Sequence, residues 1–526
     1  MDEFTTARIN DLQELKRKAL IGTGEEKIAE QHRLGKLTAR ERLDHLLDPG
    51  SFVEWNRLVG HLSGVAGAGI VAGHGTIDGR RVCVYSQDPT HPLGVMDQMH
   101  NYKMYLVIEH AMNSGVPVIG LHDSPGTAAG KVGPEQTLRI DRIEDKSTFF
   151  INTQASGVVP QIAAVLGSCT GIEAYAVGLY DYIFMIDGTS HLVVTEPRIV
   201  KSVTGQDLSM EELGGAKTHS RLSGVANFRM RSENDCFQNI KKLFSFLPEN
   251  NSEAPPWKDT GDDPDRLDDT LADIVPSDPN KGYDIRKIIR GLADKGDFFE
   301  TSAEFAANMV TGFIRLDGYT IGVVANQPQV LAGCLSVNGS RKQTRHMRFC
   351  DSFNIPLLFL IDTPAYQPGT DQEHKGIIHH GAKVLFAETE ATVPRINLQI
   401  RKCYGGGTLG MGTHLGLGAD LTFVWPIAES GIMGAEQSVD LLYQKEIASS
   451  ANPAQRRIAL IREYRLRYAN PFDAISFNAG WHDAIEPRET RKRFIQEFRL
   501  LRTKKYPHQP PYQYLSYTKR HGNIPL

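Results

Sequence analysis

GTIDGRRVCVYSQDP (Gly75–Pro89) and FIRLDGYTIGVVANQP (Phe313–Pro328) are two copies of one pattern. In each, an Asp-Gly pair separates two runs rich in β-formers, the signature of a tight β-hairpin. The text that follows agrees as well. GVPVIGLHDSPG (Gly115–Gly126) and NIPLLFLIDTPA (Asn354–Ala365) both set a proline, a buried strand and Asp-x-Pro in order, and Gly79–Asp123 and Gly318–Asp362 are each 44 residues apart. VVPQIAAVLGSCTG (Val158–Gly171) pairs with TVPRINLQIRKCYG (Thr392–Gly405), with nine residues from proline to cysteine in both. DYIFMID (Asp181–Asp187) then answers DLTFVWP (Asp420–Pro426). Four motifs in the same order imply internal duplication. The repeated unit alternates short buried strands with helical segments, which predicts an α/β fold with parallel strands and crossover helices. Ligands of such sheets bind at the carboxyl ends of the strands.

The stretch from Pro248 to Tyr283 is rich in Pro, Asp and Asn and poor in apolar residues, and it divides the 526 residues into near-equal halves. It reads as a surface linker. The expected division is a domain over 1–255, a linker over 256–282 and a second domain over 283–526. The balance of 58 Lys+Arg against 62 Asp+Glu leaves a net charge of −4, so no basic field points to nucleic acid or an anionic membrane. The longest apolar run, Ile355–Ile361, is far short of the ~20 residues a membrane span needs. Six scattered cysteines without a C-x-x-C pair fit reduced thiols, hence a cytoplasmic setting. The polar N-terminal stretch lacks the apolar region of a signal peptide and reads as a surface helix.

The chemistry-bearing stretches are the glycine-rich loops after the third motif of each half, GSCTGIEAYAVG (Gly167–Gly178) and RKCYGGGTLGMGTHLG (Arg401–Gly416). Two backbone N–H groups at such a turn can aim at one oxygen and form an oxyanion hole, suited to a thioester carbonyl becoming an enolate or to a ureido oxygen gaining charge. The same glycines serve equally well for tight strand–helix packing, and the residues alone leave both open. Other motifs fail: Gly410-x-Gly412-x-x-x-Gly416 is not a dinucleotide fingerprint, and neither a P-loop nor a G-x-S-x-G elbow occurs. His374, His379 and His380 lack a recognised metal spacing and read as surface or interface residues, so no metal is expected. Pro487–Pro507 alternates charges with apolar residues at helical spacing, as a solvated amphipathic helix or subunit contact would. Two candidate oxyanion holes without a nucleophile or phosphate cradle suit chemistry in which a cofactor supplies the base.

Longer strings carry a family resemblance: HRLGKLTARERLDHLLDPGSFVE (His32–Glu54), IVKSVTGQDLSMEELGGAKTHSRLSGVA (Ile199–Ala226), VVANQPQVLAGCLSVNGSRKQTRHMRFCDSFNIPLL (Val323–Leu358), PGTDQEHKGIIHHGAK (Pro368–Lys383) and KRHGNIPL (Lys519–Leu526). From His32 onward the chain resembles the carboxyltransferase (β) subunits of biotin-dependent acyl-CoA carboxylases. The resemblance implies two tandem crotonase-like (ClpP/crotonase) domains. It implies a hexamer built as a trimer of dimers, with active sites shared between two subunits. It places the acyl thioester oxygen at Gly171 and Ile172 and the biotin ureido oxygen at Gly406 and Gly407. Substrate contacts fall at Ser124, Pro125, Gly126 and Leu409, with coenzyme A thioester as substrate. The context of a biotinyl lysine is absent, which implies biotin carried on a separate protein, a biotin carboxyl carrier or biotin carboxylase subunit.

The departures gather in the first half. Where the family reads GPCAGGA this chain reads GSCTGIE, so Ile172 stands for a glycine and Glu173 for a small residue. DSPGTAAG (Asp123–Gly130) replaces the family's DGAGARIQ. An unusual acyl substrate is therefore expected. The alternatives are a biotin-independent acyl-thioester decarboxylase, hydratase or hydrolase using Glu173 as acid/base, and a noncatalytic subunit that assembles with an active paralogue. A carboxylate at the start of a helix also has a purely structural explanation.

Overall fold

The computed structural model describes residues 2–21, 24–63, 66–91, 98–124, 147–413, 417–476, 480–504 and 521–523. It separates into two compact units, divided between Glu253 and Ala254. Among the described residues, no helix is long and apolar enough to cross a membrane.

The first unit carries eight strands: β1 (Val53–Trp55), β2 (Ile70–Ile77), β3 (Arg80–Gln87), β4 (Val118–Ser124), β5 (Gln161–Thr170), β6 (Tyr182–Ile186), β7 (His191–Val193) and β8 (Phe228–Met230). They run in the order β1-β2-β3-β4-β5-β6-β8, with β7 paired to the far end of β5. The second unit repeats this with β9 (Phe298–Thr301), β10 (Met309–Leu316), β11 (Tyr319–Asn326), β12 (Leu357–Thr363), β13 (Arg395–Tyr404), β14 (Leu421–Val424), β15 (Glu429–Gly431) and β16 (Asp483–Ala484). Its order is β16-β14-β13-β12-β11-β10-β9, with β15 paired to β13. The predicted hairpins are β2–β3 and β10–β11, antiparallel, and the strands that follow them pair in parallel. The α/β fold and its duplication are thus visible in the topology.

The agreement reaches single residues. Asp78-Gly79 and Asp317-Gly318 both turn with positive φ, as a two-residue hairpin with the right-handed twist of its strands demands. A preceding aspartate accepts the turn's two amides in each unit, Asp48 at 3.0 and 2.9 Å and Asp294 at 3.1 and 2.7 Å. The fourth and fifth strands of each unit slip register at one place, His122/Ser124 in the first unit and Ile361/Thr363 in the second. Ser124 then faces Cys169 as Thr363 faces Cys403. These registers make Gln87 the counterpart of Asn326, His122 of Ile361, Asp123 of Asp362 and Glu173 of Gly407.

The helices α1 (Glu3–Ile21), α2 (Ala39–Leu46), α3 (Gln98–Ser114), α4 (Ile172–Gly178), α5 (Glu233–Phe244), α6 (Val337–Ser352), α7 (Ile377–Glu390), α8 (Gly406–Gly410) and α9 (Thr490–Leu501) include those that matter below. The strands they flank are buried along almost their whole length, as near-continuous apolar runs such as Leu357–Ile361 require. Helix α9 fulfils the amphipathic pattern. Its Phe494, Ile495 and Phe498 join the core of the second unit, each burial stabilising by roughly 1.5–3 kcal/mol. A subunit contact is not needed to explain its apolar face.

The stretch expected to be a linker is part of the second unit. The Trp257 indole N–H donates to the Asp317 carbonyl at 3.0 Å, and the Arg401 guanidinium donates to the carbonyls of Pro276, Asp278 and Lys281 at 3.3, 3.2 and 3.0 Å. Hydrogen bonds to its own backbone hold the segment, so its polar composition concealed its attachment. Asn523, expected in the second domain, groups with the first unit. Its backbone N–H donates to Ser156 Oγ at 2.9 Å and its side-chain amide to Asp181 Oδ1 at 3.0 Å.

Candidate active site

Each glycine-rich loop is a sharp turn out of the longest strand of its sheet. Gly171 follows β5 with φ 73° and ψ −133°, and Gly405 follows β13 with φ 48° and ψ −126°. Such positive φ values favour glycine. At Gly405 a Cβ would also come within 2.8 Å of the Ile432 carbonyl oxygen, whereas at Gly171 it would meet nothing within 4 Å. The amide of each of these glycines is already used. Gly171 N–H donates to the Val193 carbonyl of β7 at 2.9 Å, and Gly405 N–H to the Gly431 carbonyl of β15 at 3.0 Å. This corrects the expectation for Gly171, which ties the turn to the sheet edge and has no N–H left for a ligand. Among the described residues no acceptor takes the next two amides, Ile172 and Glu173 in the first turn and Gly406 and Gly407 in the second. Both turns therefore present two adjacent unpaired donors at equivalent places.

The walls differ. Beside the first turn, Ile172 is 40% exposed and Tyr175 is exposed too. Beside the second, Leu409 is 41% exposed. The Tyr366 ring lies across the second turn, where a Cβ on Gly406 would be 3.3 Å from it and one on Gly410 would be 2.5 Å from its hydroxyl. A Cβ on Gly407 would reach Thr363 Cγ2 at 3.0 Å. Ser124 ends β4 as a buried residue, and Pro125 and Gly126 lie outside the described residues.

Glu173 does not face solvent. The residue is 1% exposed and its side chain turns into the first unit. Oε1 accepts from His122 Nδ1 at 3.1 Å and from the Gln87 side-chain amide. Oε2 is buried without a partner. The carboxylate therefore faces buried side chains of the first unit and not solvent. His122 Nε2 lies 3.0 Å from the Tyr85 hydroxyl, which is 2.6 Å from the Tyr180 hydroxyl. Burial pushes both phenols up and holds His100, 3.1 Å from the Gln87 amide, down at about 3. Asp123 N–H donates to Gln87 Oε1 at 2.8 Å, and the Asp123 carboxylate takes Lys36 at 2.5 Å and Arg42 at 2.8 Å. A nitrogen of His122, the Cys169 sulfur and an oxygen of Glu173 lie within 4.8 Å of one another. Both ring nitrogens are engaged by Tyr85 and Glu173, and burial pushes the Cys169 thiol well up, so hydrogen bonding accounts for this cluster. Sequence reasoning missed Tyr85, Gln87, His122, Tyr180 and Tyr366. The available signal was a mismatch within matched strands, histidine at 122 against isoleucine at 361.

The second unit has several buried carboxylates, and Glu388 differs from Asp294, Asp351 and Asp362 in lacking hydrogen-bond partners. Burial pushes Glu388 up to about 8, and neither oxygen has a hydrogen-bond partner. A Cβ on Gly412 would stand 3.2 Å from Glu388 Oε1 and 3.2 Å from an Arg395 guanidinium nitrogen.

Two sheets of one topology, each ending in a turn with paired free amides, define a duplicated α/β enzyme scaffold. The chain belongs to the carboxyl transferase domain family, which matches residues 30–514. It is 45% identical over 528 residues to the propionyl-CoA carboxylase carboxyltransferase subunit of Haloferax mediterranei, covering 99% of both chains. It is 40% identical over 529 residues to methylmalonyl-CoA decarboxylase subunit alpha of Veillonella parvula, again with 99% of each covered. The hexameric transcarboxylase 12S, crystallised with methylmalonyl-coenzyme A and methylmalonic acid bound, superimposes with a TM-score of 0.89 at 39% identity, over 99% of this chain and 98% of that one.

Proposed function

We propose that the chain is the carboxyltransferase component of a biotin-dependent acyl-CoA carboxylase or decarboxylase, with propionyl-CoA and methylmalonyl-CoA as the substrate pair. The reading rests on family membership and, within the molecule, on one observation: both sheets end in a turn with two unpaired adjacent amides.

The assignment of oxygens to the two turns is carried over from the family resemblance. The first turn, with the amides of Ile172 and Glu173, takes the thioester oxygen. Charge developing there as the α-carbon loses its proton meets two fixed donors, an arrangement whose single donors are worth roughly 10²–10³ in rate. The second turn, with the amides of Gly406 and Gly407, takes the ureido oxygen of biotin. The glycines of this turn support that reading, since side chains there would crowd Tyr366 and Thr363. Biotin, held on a separate carrier protein, would supply the carboxyl group as CO₂ for the α-carbon and, once relieved of it, the ureido nitrogen that accepts the α-proton. Ile172 lines the acyl side and narrows it relative to a glycine, while Leu409 stands beside the second turn. The working form is a hexamer, as in transcarboxylase 12S. The Glu173-based and noncatalytic alternatives gain no support from a buried carboxylate and free amides.

The test is fixation of labelled bicarbonate into propionyl-CoA by the purified chain supplied with a biotin carboxylase and its biotinylated carrier. Label should appear only with the carrier. Turnover of methylmalonyl-CoA without biotin would overturn the reading in favour of the biotin-independent class.

A further inference from the structure

The internal duplication supplies a control that a single sheet lacks. Where the first unit has Tyr85, His122 and Glu173, the second has Val324, Ile361 and Gly407, on strands of identical order and register. Tyr180 precedes Asp181, whose carboxylate accepts the Gln161 amide as Asp420 accepts that of Arg395, so its counterpart is Ala419. Even the space is exchanged. Gly120 leaves room that a Cβ would close at 2.5 Å from the Tyr85 hydroxyl and 2.8 Å from His122 Nε2, and its counterpart is the buried Phe359. The scaffold therefore stands with apolar residues at all these places. Burying a carboxylate, an imidazole and two phenols instead carries a desolvation penalty that their mutual hydrogen bonds offset, with Glu173 Oε2 alone left unpaired among the carboxylate's two oxygens.

Those hydrogen bonds run in one direction. A carboxylate only accepts, so His122 donates from Nδ1 to Glu173 Oε1. Nε2 then accepts from the Tyr85 hydroxyl, which accepts from Tyr180. On the other side, Asp123 N–H holds Gln87 Oε1, which fixes the Gln87 amide so that its nitrogen points at Glu173. Asp123 is itself held by Lys36 and Arg42, and Arg42 by Glu233 at 2.7 Å. In the second unit Asn326 Oδ1 meets the Asp362 amide in the same way at 3.2 Å, but its nitrogen turns to the Gly333 carbonyl, because Gly407 has no carboxylate to offer.

We propose that this chain of groups is a positioning device: Tyr180, Tyr85, His122 and Gln87 clamp the Glu173 carboxylate, and through it the Ile172 and Glu173 amides that receive the acyl thioester oxygen. The second turn is braced differently, by the Tyr366 ring over its glycines. The first turn carries side chains, so its amides are aimed by anchoring one of them from beneath. Glu173 is a positioning residue, and its carboxylate touches no substrate. The proposal rests on the carboxyltransferase reading above.

The test uses the full-length protein and propionyl-CoA labelled with ¹³C at the thioester carbonyl, whose infrared frequency falls as the amides polarise it. His122→Ile and Glu173→Leu install apolar side chains. Each is expected to return most of the carbonyl shift toward the solution value and to lower kcat about tenfold or more with KM within about threefold, the pattern of a lost transition-state interaction. Glu173→Gln, which keeps an acceptor of the same shape, should recover a substantial part of both losses. Tyr85→Phe, which removes one hydroxyl, decides the matter if the larger changes prevent folding, with an expected severalfold fall in kcat. Folded variants that match wild type in shift and kcat overturn the clamp and leave the function standing. A wild-type protein that leaves the carbonyl at its solution frequency overturns the placement of the thioester on this turn, and the clamp with it.

Discussion

The turns after β5 and β13 share a backbone and differ in everything hung on it. Both begin with a positive-φ glycine whose N–H is tied to an edge strand, and both then offer two amides that no acceptor takes among the described residues. The second turn is bare glycine under a tyrosine ring, while the first carries Ile172 outward and Glu173 inward into a polar cluster. Duplication conserved the donor geometry and released the surroundings. Under the proposed function, two different oxygens meet the same pair of N–H groups in two differently shaped surroundings.

Four measurements would break or sharpen this contrast. Gly406→Val drives a branched side chain into Tyr366 and should lower carboxyl transfer by at least ~100-fold, the scale of losing an oxyanion donor. A transfer rate near wild type would show that the second turn is not in the reaction. Ile172→Gly makes the first turn resemble the second. It should raise kcat/KM for butyryl-CoA relative to propionyl-CoA by up to about tenfold, since one methylene in a pocket is worth ~1–3 kcal/mol. An unchanged ratio places Ile172 outside the acyl wall.

Stability separates the two leading glycines. Alanine at Gly171 (φ 73°, ψ −133°) meets only a positive-φ backbone penalty of roughly 1–3 kcal/mol, while alanine at Gly405 adds a collision with the Ile432 carbonyl. Gly405→Ala should therefore melt lower than Gly171→Ala, and equal melting temperatures would sink the distinction. The smallest effect concerns Glu388. Its carboxyl is raised to about 8 from an ordinary 4.5, so the folded protein holds a proton that the unfolded chain has released. Stability from this residue is full below about 4.5 and declines as pH rises toward 8. Glu388→Gln should narrow the difference in Tm between pH 5 and pH 8 by a few degrees.

The duplication was legible because it is written in short-range signals. Asp-Gly turns, Pro-strand-Asp-x-Pro and Pro-to-Cys spacings are local, and each survives as a strand pair or register slip in the structure. The glycine-rich loops were legible as turns for the same reason. Which amides are free was not, because the partner of Gly171 is Val193, on another strand. The polar stretch before Tyr283 misled because backbone carbonyls meeting Arg401 leave no trace in composition.

The amino-acid sequence, through periodicity, turn chemistry and repeated spacing, determined the α/β class, the two-copy plan and the two turns. Those features depend on neighbours a few residues apart, or on a pattern that recurs. Tertiary structure alone decided that Glu173 points inward, that Tyr85, His122 and Tyr180 gather behind it, and that the usable donors of the first turn begin at Ile172. These depend on contacts between strands far apart in the chain, where one hydrogen bond determines which of two adjacent amides remains for a ligand.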